Sequence, residues 1–521
     1  MRKTTDELFQ LIQSLSKSEK RHFKLFASRH VIGEENDYIR LFEAINRQEE
    51  YDEPKIIKLF SQRPFVKQFS NKKNYLFQII TNALRDYHAH SSINVEIQNL
   101  LHEVEILYNK ALYQSAKKAL LKAKKLASAS QHYSIMPEIF WWEKKLLAAT
   151  FYFDSSANPI SVDGNSLEEQ LSVLKKIEHN EKYWNIKSLV FPFLRTRGLK
   201  TSNLKNIEAI IKKLPEDPST DNYSIETIIH IYQVYSHYYR LKGDREKLYK
   251  NTKKLVELIE KNSVDIVSQH IDLYMSSLHN LLLGQRLVGE YEEFFSTLKK
   301  LKAIEQNSKA GKYTHIRQKI FSSSYLELWV YIDIGEFDKG RKIAEDIEKQ
   351  LDLYDKYLTL QQKLFFHYLI SYFYFGLNQY SKALLWLNKI LNDSHTNIRE
   401  DIHSYSRILN LLIHFEMGND DLLSYITKST YRFLYKKERL FQFEDVILNF
   451  IRLKMPKVNS KDELIEKFKE LKKELIKISE DPFEKQTLDF FDFISWLESK
   501  IEKKSFAEMK KRNKLPTINL P

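Results

Sequence analysis

The chain has 521 residues, 43% of them hydrophobic and 29% charged, with a formal net charge of +13 at pH 7. This length exceeds one ordinary core and requires several domains or a repeat array, while the hydrophobic content excludes a globally disordered chain. Because cysteine is absent, disulfides, thiolate metal sites and cysteine nucleophiles are also excluded. Glycine and proline number only 11 each, so tight turns must be few and long helices are expected.

The beginning of the chain, MRKTTDELFQLIQSL, lacks the continuous apolar stretch of a secretory signal. No segment reaches the ~18 consecutive apolar residues that a membrane span requires. Together with the absence of cysteine, these features predict a soluble, cytoplasmic protein without a membrane span.

Residues 1–92 contain several short amphipathic segments, which predict an N-terminal helical cap domain. Ser16 with Glu19 matches the capping box that begins many helices. The segments 17-KSEKRHFK-24 and 116-AKKALLKAKKLA-127 carry cations along helical faces, as a surface that follows a phosphate backbone would. One alternative function is therefore a helical-repeat protein that binds RNA or DNA through its N-terminal basic helices.

A second alternative is enzymatic. Arg85, Asp86 and His90 have a spacing that resembles the nuclease motif of HEPN-type helical RNases. The resemblance implies that the arginine and the histidine act on the scissile phosphate and the 2′-hydroxyl of RNA. Because a short motif of this kind arises often by chance, this function ranks behind the others.

A short turn recurs between amphipathic stretches in the second half of the chain. It begins with glycine or asparagine, an aromatic residue often follows two positions later, and a small or apolar residue comes three positions after that. The turns begin at Gly243, Gly289, Gly335, Asn378 and Gly418, which are 46, 46, 43 and 40 residues apart. Glycine and asparagine adopt a left-handed backbone at the lowest cost, so these positions are predicted to end helices.

The same spacing extends in both directions. Backward it reaches Gly198 and then 107-LYNKALYQSAKKALLKA-123, and forward it reaches 459-NSKDELIEKF-468. About nine helix-turn-helix units are therefore predicted between residues 93 and 503, stacked into a right-handed α-solenoid. The basic tail, residues 504–521, is predicted to be disordered.

The stretches 374-YFGLNQYSKALLWL-387 and 331-YIDIGEF-337 resemble the tetratricopeptide repeat (TPR). That family pairs a large residue in its first helix with Gly-x-Tyr, and then places an alanine where the two helices cross. The units here are ~40–46 residues long, against about 34 in the family, so the resemblance is to TPR-like hairpins with longer helices. HEAT-type helix pairs have a similar length and are the alternative for the array.

The resemblance implies a groove lined by the first helix of each unit, which in this family commonly holds a peptide. Alignment on the turn residues places the following side chains in that groove: His230, Gln233, His237, Arg240, Ser276, His279, Arg286, Tyr325, Trp329, Tyr368 and Tyr372. The histidine and arginine end would suit an acidic or carboxylate-ended peptide, and the tyrosine and tryptophan end would suit apolar side chains.

The sequence contains no phosphate-binding glycine loop and no H-E-x-x-H zinc motif, so we predict no cofactor, no metal site and no catalytic activity. Aromatic clusters such as 140-FWW-142 and 372-YFYF-375 are expected to fill the space between stacked helices. The leading hypothesis is a non-enzymatic scaffold or adaptor that binds a protein or peptide partner in the groove of the repeat array.

Overall fold

The structure is a computed structural model. It describes residues 7–28, 37–61, 68–89, 92–151, 165–191, 201–262, 270–307, 314–458 and 460–514. Within these ranges every regular element is a helix and no β-strand occurs, which confirms the predicted all-α class. No helix of the described part of the chain combines the length and the apolar character needed to cross a membrane.

The chain divides into two compact units, residues 1–173 and 174–521. The boundary predicted at residue 92 lies inside the first unit. This unit contains α1 (Glu7–Ser14), α2 (Lys17–Ser28), α3 (Asp37–Asn46), α4 (Glu53–Leu59), α5 (Phe69–Tyr87), α6 (Ile93–Asn109), α7 (Tyr113–Ala129) and α8 (Met136–Phe151). The next helix, α9 (Asn165–Val190), contains the boundary between the units.

Helices α1 to α5 share one hydrophobic core. Phe23 of α2 packs against Phe42 of α3, with 4.5 Å between the ring centroids. Ser16 and Glu19 form the predicted capping box at the start of α2. The Glu19 N–H donates to the Ser16 hydroxyl (3.2 Å) and the Ser16 N–H donates to the Glu19 carboxylate (2.7 Å). The box satisfies two N–H groups that the helix itself leaves unpaired.

Helices α6 and α7 form a hairpin with the turn geometry predicted further along the chain. The turn residue is Ala111, with φ +58°, two positions before Tyr113. Ala116 and Ala123 are fully buried and allow α7 to approach its neighbours closely. A left-handed alanine costs about 1–2 kcal/mol, so this turn is indicated by the repeat spacing and not by a glycine or asparagine.

The second unit continues the helical chain. Its helices are α10 (Thr201–Ile211), α11 (Ile225–Lys242), α12 (Arg245–Glu260), α13 (Ile271–Val288), α14 (Tyr291–Asn307), α15 (Thr314–Ser323), α16 (Tyr325–Asp333), α17 (Phe337–Tyr354), α18 (Leu360–Gly376), α19 (Tyr380–Leu391), α20 (Glu400–Glu416), α21 (Asp420–Lys436), α22 (Gln442–Asn449), α23 (Lys461–Ile478), α24 (Pro482–Lys485), α25 (Phe493–Glu502) and α26 (Phe506–Lys514). A π-helical turn, Phe450–Lys454, follows α22.

The recurring turns of the second unit have the predicted backbone conformation. Gly243, Gly289, Gly335, Asn378 and Gly418 all have positive φ, between +57° and +87°. Each lies between the two helices of a pair, so the prediction that these residues end helices is confirmed. The turn predicted at residue 198 lies outside the described residues.

Helices joined by these turns pack against each other, as α11 does with α12 and α18 with α19. The first helices of successive pairs also contact one another: α11 with α13, α13 with α16, α16 with α18, and α18 with α20. Neighbour-to-neighbour contact of this kind is what a repeat array requires. One face of this row of first helices surrounds the cavity considered below.

Small residues stand where the two helices of a pair cross. A Cβ atom on Gly340 of α17 would lie 2.9 Å from the ring of Phe373 and 3.0 Å from the Cβ of Tyr331. Ala383 of α19 is fully buried, and its carbonyl accepts a hydrogen bond of 2.9 Å from the Ser371 hydroxyl. The large residues of the facing helices therefore leave room only for glycine or alanine at these crossings.

The end of the described chain folds back onto the first helices of the second unit. Phe491 and Phe506 stack with 5.6 Å between centroids and 2° between ring planes, and both rings contact Tyr372. Residues 504–521 were predicted to be disordered, but Phe506–Lys514 form helix α26. Residues 515–521 lie outside the described residues. The apolar residues of α26 pack on the unit, which explains why this basic segment is ordered.

Candidate functional site

The second unit contains a cavity of about 1780 Å³, which we call the groove. Its walls come mainly from α11, α13, α15, α16 and α18, from the start of α20, and from the segment 476–490. Side chains three or four positions apart share one face of a helix, so each first helix in the row presents one such face. The groove lies where these faces meet.

Eight of the eleven side chains predicted to line a partner groove lie in the walls of this one. They are Gln233, His237, Arg240, Ser276, His279, Arg286, Tyr325 and Trp329. The helical spacing of those from α11 and α13 is the signal that identified them in the sequence. The other three predicted residues, His230, Tyr368 and Tyr372, are buried and do not line it.

Arg240 lies in the last turn of α11, with its side chain exposed to the groove. The surrounding walls nevertheless remove part of its water, which lowers the pKa of Arg240. Tyr325 and the more distant carboxylates of Asp401 and Asp489 raise this pKa in part, and the positive charge of Arg399 lowers it. No hydrogen bond or ion pair joins Arg240 to any residue in the described part of the chain. Arg240 is therefore a confined cation without a direct ion pair in the described protein.

The other arginines of the groove wall each have a carboxylate partner. The pairs are Arg286 Nε with Asp333 Oδ2 (2.7 Å), Arg245 Nη2 with Asp489 Oδ1 (2.5 Å), and Arg399 Nη2 with Asp401 Oδ2 (2.7 Å). Opposite charges at these distances largely cancel in a partly enclosed site. Arg240 is therefore the arginine of the groove wall that remains able to pair with an anionic ligand.

Trp329 forms part of the aromatic wall of the groove. The Arg286 guanidinium lies 3.9 Å from the centre of its ring, a cation–π contact, and the Phe365 ring lies 5.1 Å away. Trp329 is 5% exposed, and no acceptor for its indole Nε1–H occurs among the residues that the structure describes. A buried donor without an acceptor is unfavourable and costs stability.

The two histidines of the groove are neutral at physiological pH. His279 hydrogen-bonds Ser323 Oγ through Nδ1 (2.8 Å) and the Tyr325 hydroxyl through Nε2 (3.2 Å). Burial and the charge of Arg240 lower the pKa of His279 to about 4. Burial, followed by Arg240 and Lys187, lowers the pKa of His237 to about 3. The histidines therefore contribute hydrogen bonds and rings, and the positive charge comes from the arginine and lysine side chains of the wall.

His230 was predicted to line the groove, but it lies in the core and is 2% exposed. Its Nδ1 accepts a hydrogen bond of 3.0 Å from the Lys187 ammonium. Burial and that ammonium lower the pKa of His230 to about 4. His230 lies two helical turns before His237 on nearly the same side of α11, so helical periodicity alone does not separate the buried residue from the groove residue.

Tyr368 and Tyr372 were also predicted to face a partner, but the chain's own segment 489–492 covers both. The Tyr368 hydroxyl donates to the carbonyl of Phe490 (3.2 Å), and the N–H of Asp492 donates to the Tyr372 hydroxyl (3.1 Å). Both tyrosine side chains are almost completely buried. We call this covered part of the row of first helices the filled half, and the groove around Arg240, His279, Tyr325, Trp329 and Phe365 the open half.

The sequence prediction missed other groove residues, among them Phe365, Arg399 and Phe490. Phe365 follows the helical spacing of α18 toward Tyr368 and Tyr372 and could have been found by the same pattern. Arg399 and Phe490 lie outside the first helices, at the start of α20 and in the folded-back segment. Their placement depends on tertiary packing, and no local sequence pattern indicates it.

The residues proposed for an RNase site are not brought together by any described contact. Arg85 donates a hydrogen bond to Asn82 (3.2 Å), Asp86 pairs with His22 (3.1 Å), and residue 90 lies outside the description. Within the described ranges, no group of three histidine or acidic side chains is close enough together to hold a metal ion.

The basic helix α2, proposed as a nucleic-acid surface, has part of its charge already paired. Lys24 forms an ion pair with Glu43 (2.8 Å), and Lys20 donates to the side chain of Asn46 (2.6 Å). Fewer free cations on this face leave fewer phosphate contacts.

Comparisons with protein-family models, with curated proteins and with solved structures found no match for this chain. The properties of the groove are therefore the basis for a functional proposal. It offers one guanidinium without a direct partner in the described residues, neutral histidines and an aromatic wall. This set of groups suits an anionic ligand that also carries apolar or aromatic surface.

Proposed function

We propose that the second unit is a TPR-like peptide-binding module that holds an acidic segment of a protein partner in its groove. The protein would then act as a non-enzymatic scaffold or adaptor. The observation that carries this proposal is Arg240, a confined cation with no direct ion pair among the described residues, which lines the groove with seven other side chains that the helical pattern selected.

Two features support a TPR-like array. The left-handed turns recur at intervals of 40–46 residues, and the first helices of successive pairs contact one another. Helical repeats with this arrangement present a continuous surface of equivalent helix faces, which suits an extended peptide better than a compact small molecule. The mixture of charged, amide and aromatic side chains along the groove matches the variety of side chains that a peptide carries.

An enzymatic role for the groove has less support. His279 and Ser323 lie 2.8 Å apart, as a base and a nucleophile would, but Ser323 is only 5% exposed. The third group on the imidazole is the Tyr325 hydroxyl, whereas such catalytic sites normally orient the histidine with a carboxylate. This hydrogen-bonded set is better explained as the fixed wall of a binding site.

Selection of a random peptide library, displayed on phage, against the full chain tests this proposal. We expect the selected peptides to be rich in aspartate and glutamate. Arg240→Glu should weaken their binding by at least about tenfold, because it replaces an attraction with a repulsion at the centre of the groove. Arg432→Glu is the matched control, since Arg432 is exposed on α21 and does not line the groove.

Equal affinity of the selected peptides for wild type and Arg240→Glu would overturn the proposal. Single-stranded RNA and duplex DNA should be titrated in parallel at about 50 and about 200 mM salt. Tight nucleic-acid binding that falls steeply with salt, together with no selection of peptides, would favour the nucleic-acid alternative instead.

A further inference from the structure

The filled half shows which chemistry the walls of this unit accept. The chain's own sequence 489-DFFD-492 lies there. The Asp489 carboxylate pairs with Arg245 at 2.5 Å. The Phe490 ring stacks on Tyr405, with 4.2 Å between centroids and 15° between planes. An acidic side chain and the aromatic ring next to it in sequence are therefore bound together by one arginine and one aromatic wall.

The main chain of this segment is held by side chains of a first helix. Tyr368 and Tyr372, one helical turn apart on α18, bond the carbonyl of Phe490 and the N–H of Asp492. Backbone hydrogen bonds from side chains, with alternate side chains in pockets, are typical of peptide recognition by proteins. The unit thus already contains one bound peptide segment, which belongs to the same chain.

The open half offers the same two kinds of contact without an occupant from the described chain. Arg240 supplies the guanidinium, and it has no partner in the described ranges. Phe365 supplies a half-buried ring, 4.7 Å from Tyr325 and 5.1 Å from Trp329 by ring centroids. Both Arg240 and Phe365 line the groove.

The internal segment also reaches the border between the two halves. Asp489 and Phe490 line the groove themselves, and the Phe490 ring lies 6.4 Å from Trp329. A second aromatic ring placed in the open half would extend the series of rings that Phe490 and Trp329 begin. Aromatic rings at such separations attract each other by about 0.5–1.5 kcal/mol beyond the surface that they bury.

We infer that the open half binds an acidic–aromatic motif, in which an aspartate or glutamate is directly followed by an aromatic residue, in the chain of a protein partner. The inference rests on the proposed peptide-binding function and specifies its ligand. The carboxylate of the motif pairs with Arg240, and its ring packs against Phe365 beside Trp329.

Fluorescence anisotropy with the full chain and three labelled nonapeptides tests the inference. The peptides are GSGDFFDGS, GSGNFFNGS, which lacks the charge, and GSGDLLDGS, which lacks the rings. We expect the first to bind about tenfold more tightly than either of the others, because each loses one of the two contacts. Arg240→Glu should abolish the advantage of GSGDFFDGS over GSGNFFNGS, and Arg432→Glu should preserve it.

A milder substitution separates ring recognition from folding. Phe365→Leu keeps the side chain apolar and should reduce the affinity for GSGDFFDGS to that for GSGDLLDGS. Equal affinities of the wild type for GSGDFFDGS and GSGDLLDGS would overturn the inference. If Arg240-dependent binding of acidic peptides persists in that case, the proposed function stands. If none of the three peptides binds and the library yields no acidic peptides, both fail.

Discussion

The filled and open halves are built from the same row of first helices and similar side chains, but their polar groups differ in what they contact. In the filled half, the hydroxyls of Tyr368 and Tyr372 bond the main chain of the folded-back segment. In the open half, Arg240 and the indole N–H of Trp329 have no partner among the described residues. Polar groups that are satisfied within the protein stabilise the fold, whereas unsatisfied ones cost stability and remain available to a ligand.

The largest expected loss of stability comes from removing the buried ion pair that holds the folded-back segment in the filled half. Lys510 is 2% exposed and forms an ion pair of 3.2 Å with Asp492. Lys510→Ala should lower the free energy of unfolding by ~3–5 kcal/mol, because it leaves a largely enclosed carboxylate without its cation. Urea denaturation at neutral pH measures this loss.

Lys511→Ala is the control for that experiment. Lys511 is 46% exposed and pairs with Glu336 at 3.2 Å, so its loss should cost at most about 1 kcal/mol. Equal losses in the two variants would mean that the buried pair does not hold the folded-back segment in place.

The pH dependence of stability tests the environment of the buried His230, which lies on α11 beside the open half. Burial and Lys187 lower the pKa of His230 from 6.5 to about 4 in the folded protein. Between these two values the unfolded chain binds a proton that the folded protein excludes, so stability falls as the pH falls from 6.5 towards 4. Protonation of His230 alone lowers the free energy of unfolding by as much as ~3 kcal/mol at pH 4 and below. Above pH 6.5 it makes no contribution to the pH dependence.

His230→Gln should therefore give a flatter dependence of unfolding free energy on pH in this range. His395→Gln serves as the comparison, because His395 is 64% exposed. Parallel curves for wild type and His230→Gln would contradict the assignment of this proton to His230.

A glycine pair tests the contact between α26 and the row of helices. Gly335 and Gly289 both have positive φ, but a Cβ atom on Gly335 would lie 2.7 Å from the carbonyl oxygen of Ala507, whereas a Cβ atom on Gly289 would meet nothing within 4 Å. Gly289→Ala should cost about 1 kcal/mol from backbone strain alone, and Gly335→Ala about 2–3 kcal/mol. If the two variants lower the melting temperature equally, α26 moves away from the new Cβ atom without loss of stability, and the predicted clash is wrong.

The smallest effect is expected at the residue most important for the proposed binding. Arg240→Met should leave the free energy of unfolding within about 0.5 kcal/mol of wild type, because no partner in the described protein loses a contact. Arg286→Met should cost ~3 kcal/mol, since it breaks a buried pair with 2.7 Å between Arg286 Nε and Asp333 Oδ2. A loss at Arg240 as large as that at Arg286 would assign Arg240 to the fold and weaken its proposed role.

The sequence was sufficient where the cause of the structure is local. Left-handed turns at Gly243, Gly289 and Asn378 follow from the backbone preferences of glycine and asparagine. The faces of α11 and α13 follow from helical periodicity counted back from these turns, and this count placed Arg240 and His279 in one groove. A count of this kind does not show how far along a helix the groove extends, and for this reason it included the buried His230.

The sequence was insufficient where a distant segment determines the surroundings of a residue. Tyr368 follows the same periodicity as the groove residues, but the carbonyl that covers it belongs to Phe490, 122 positions later. The basic composition of α26 predicted disorder, because nothing near Lys510 in the sequence indicates that Asp492 and Tyr372 surround its ammonium in the fold.

The folded-back segment also sets the order in which the protein can mature. Tyr372 and Asp492, which hydrogen-bond in the filled half, are 120 positions apart, so the tyrosine leaves the ribosome roughly 6–24 s before its partner is synthesised. Until then the aromatic face of α18 lacks the segment that covers it in the folded protein, and we expect this face to be prone to association with a second nascent chain. Synthesis rate and chaperone supply, and not only equilibrium stability, are thus expected to limit the yield of the folded protein.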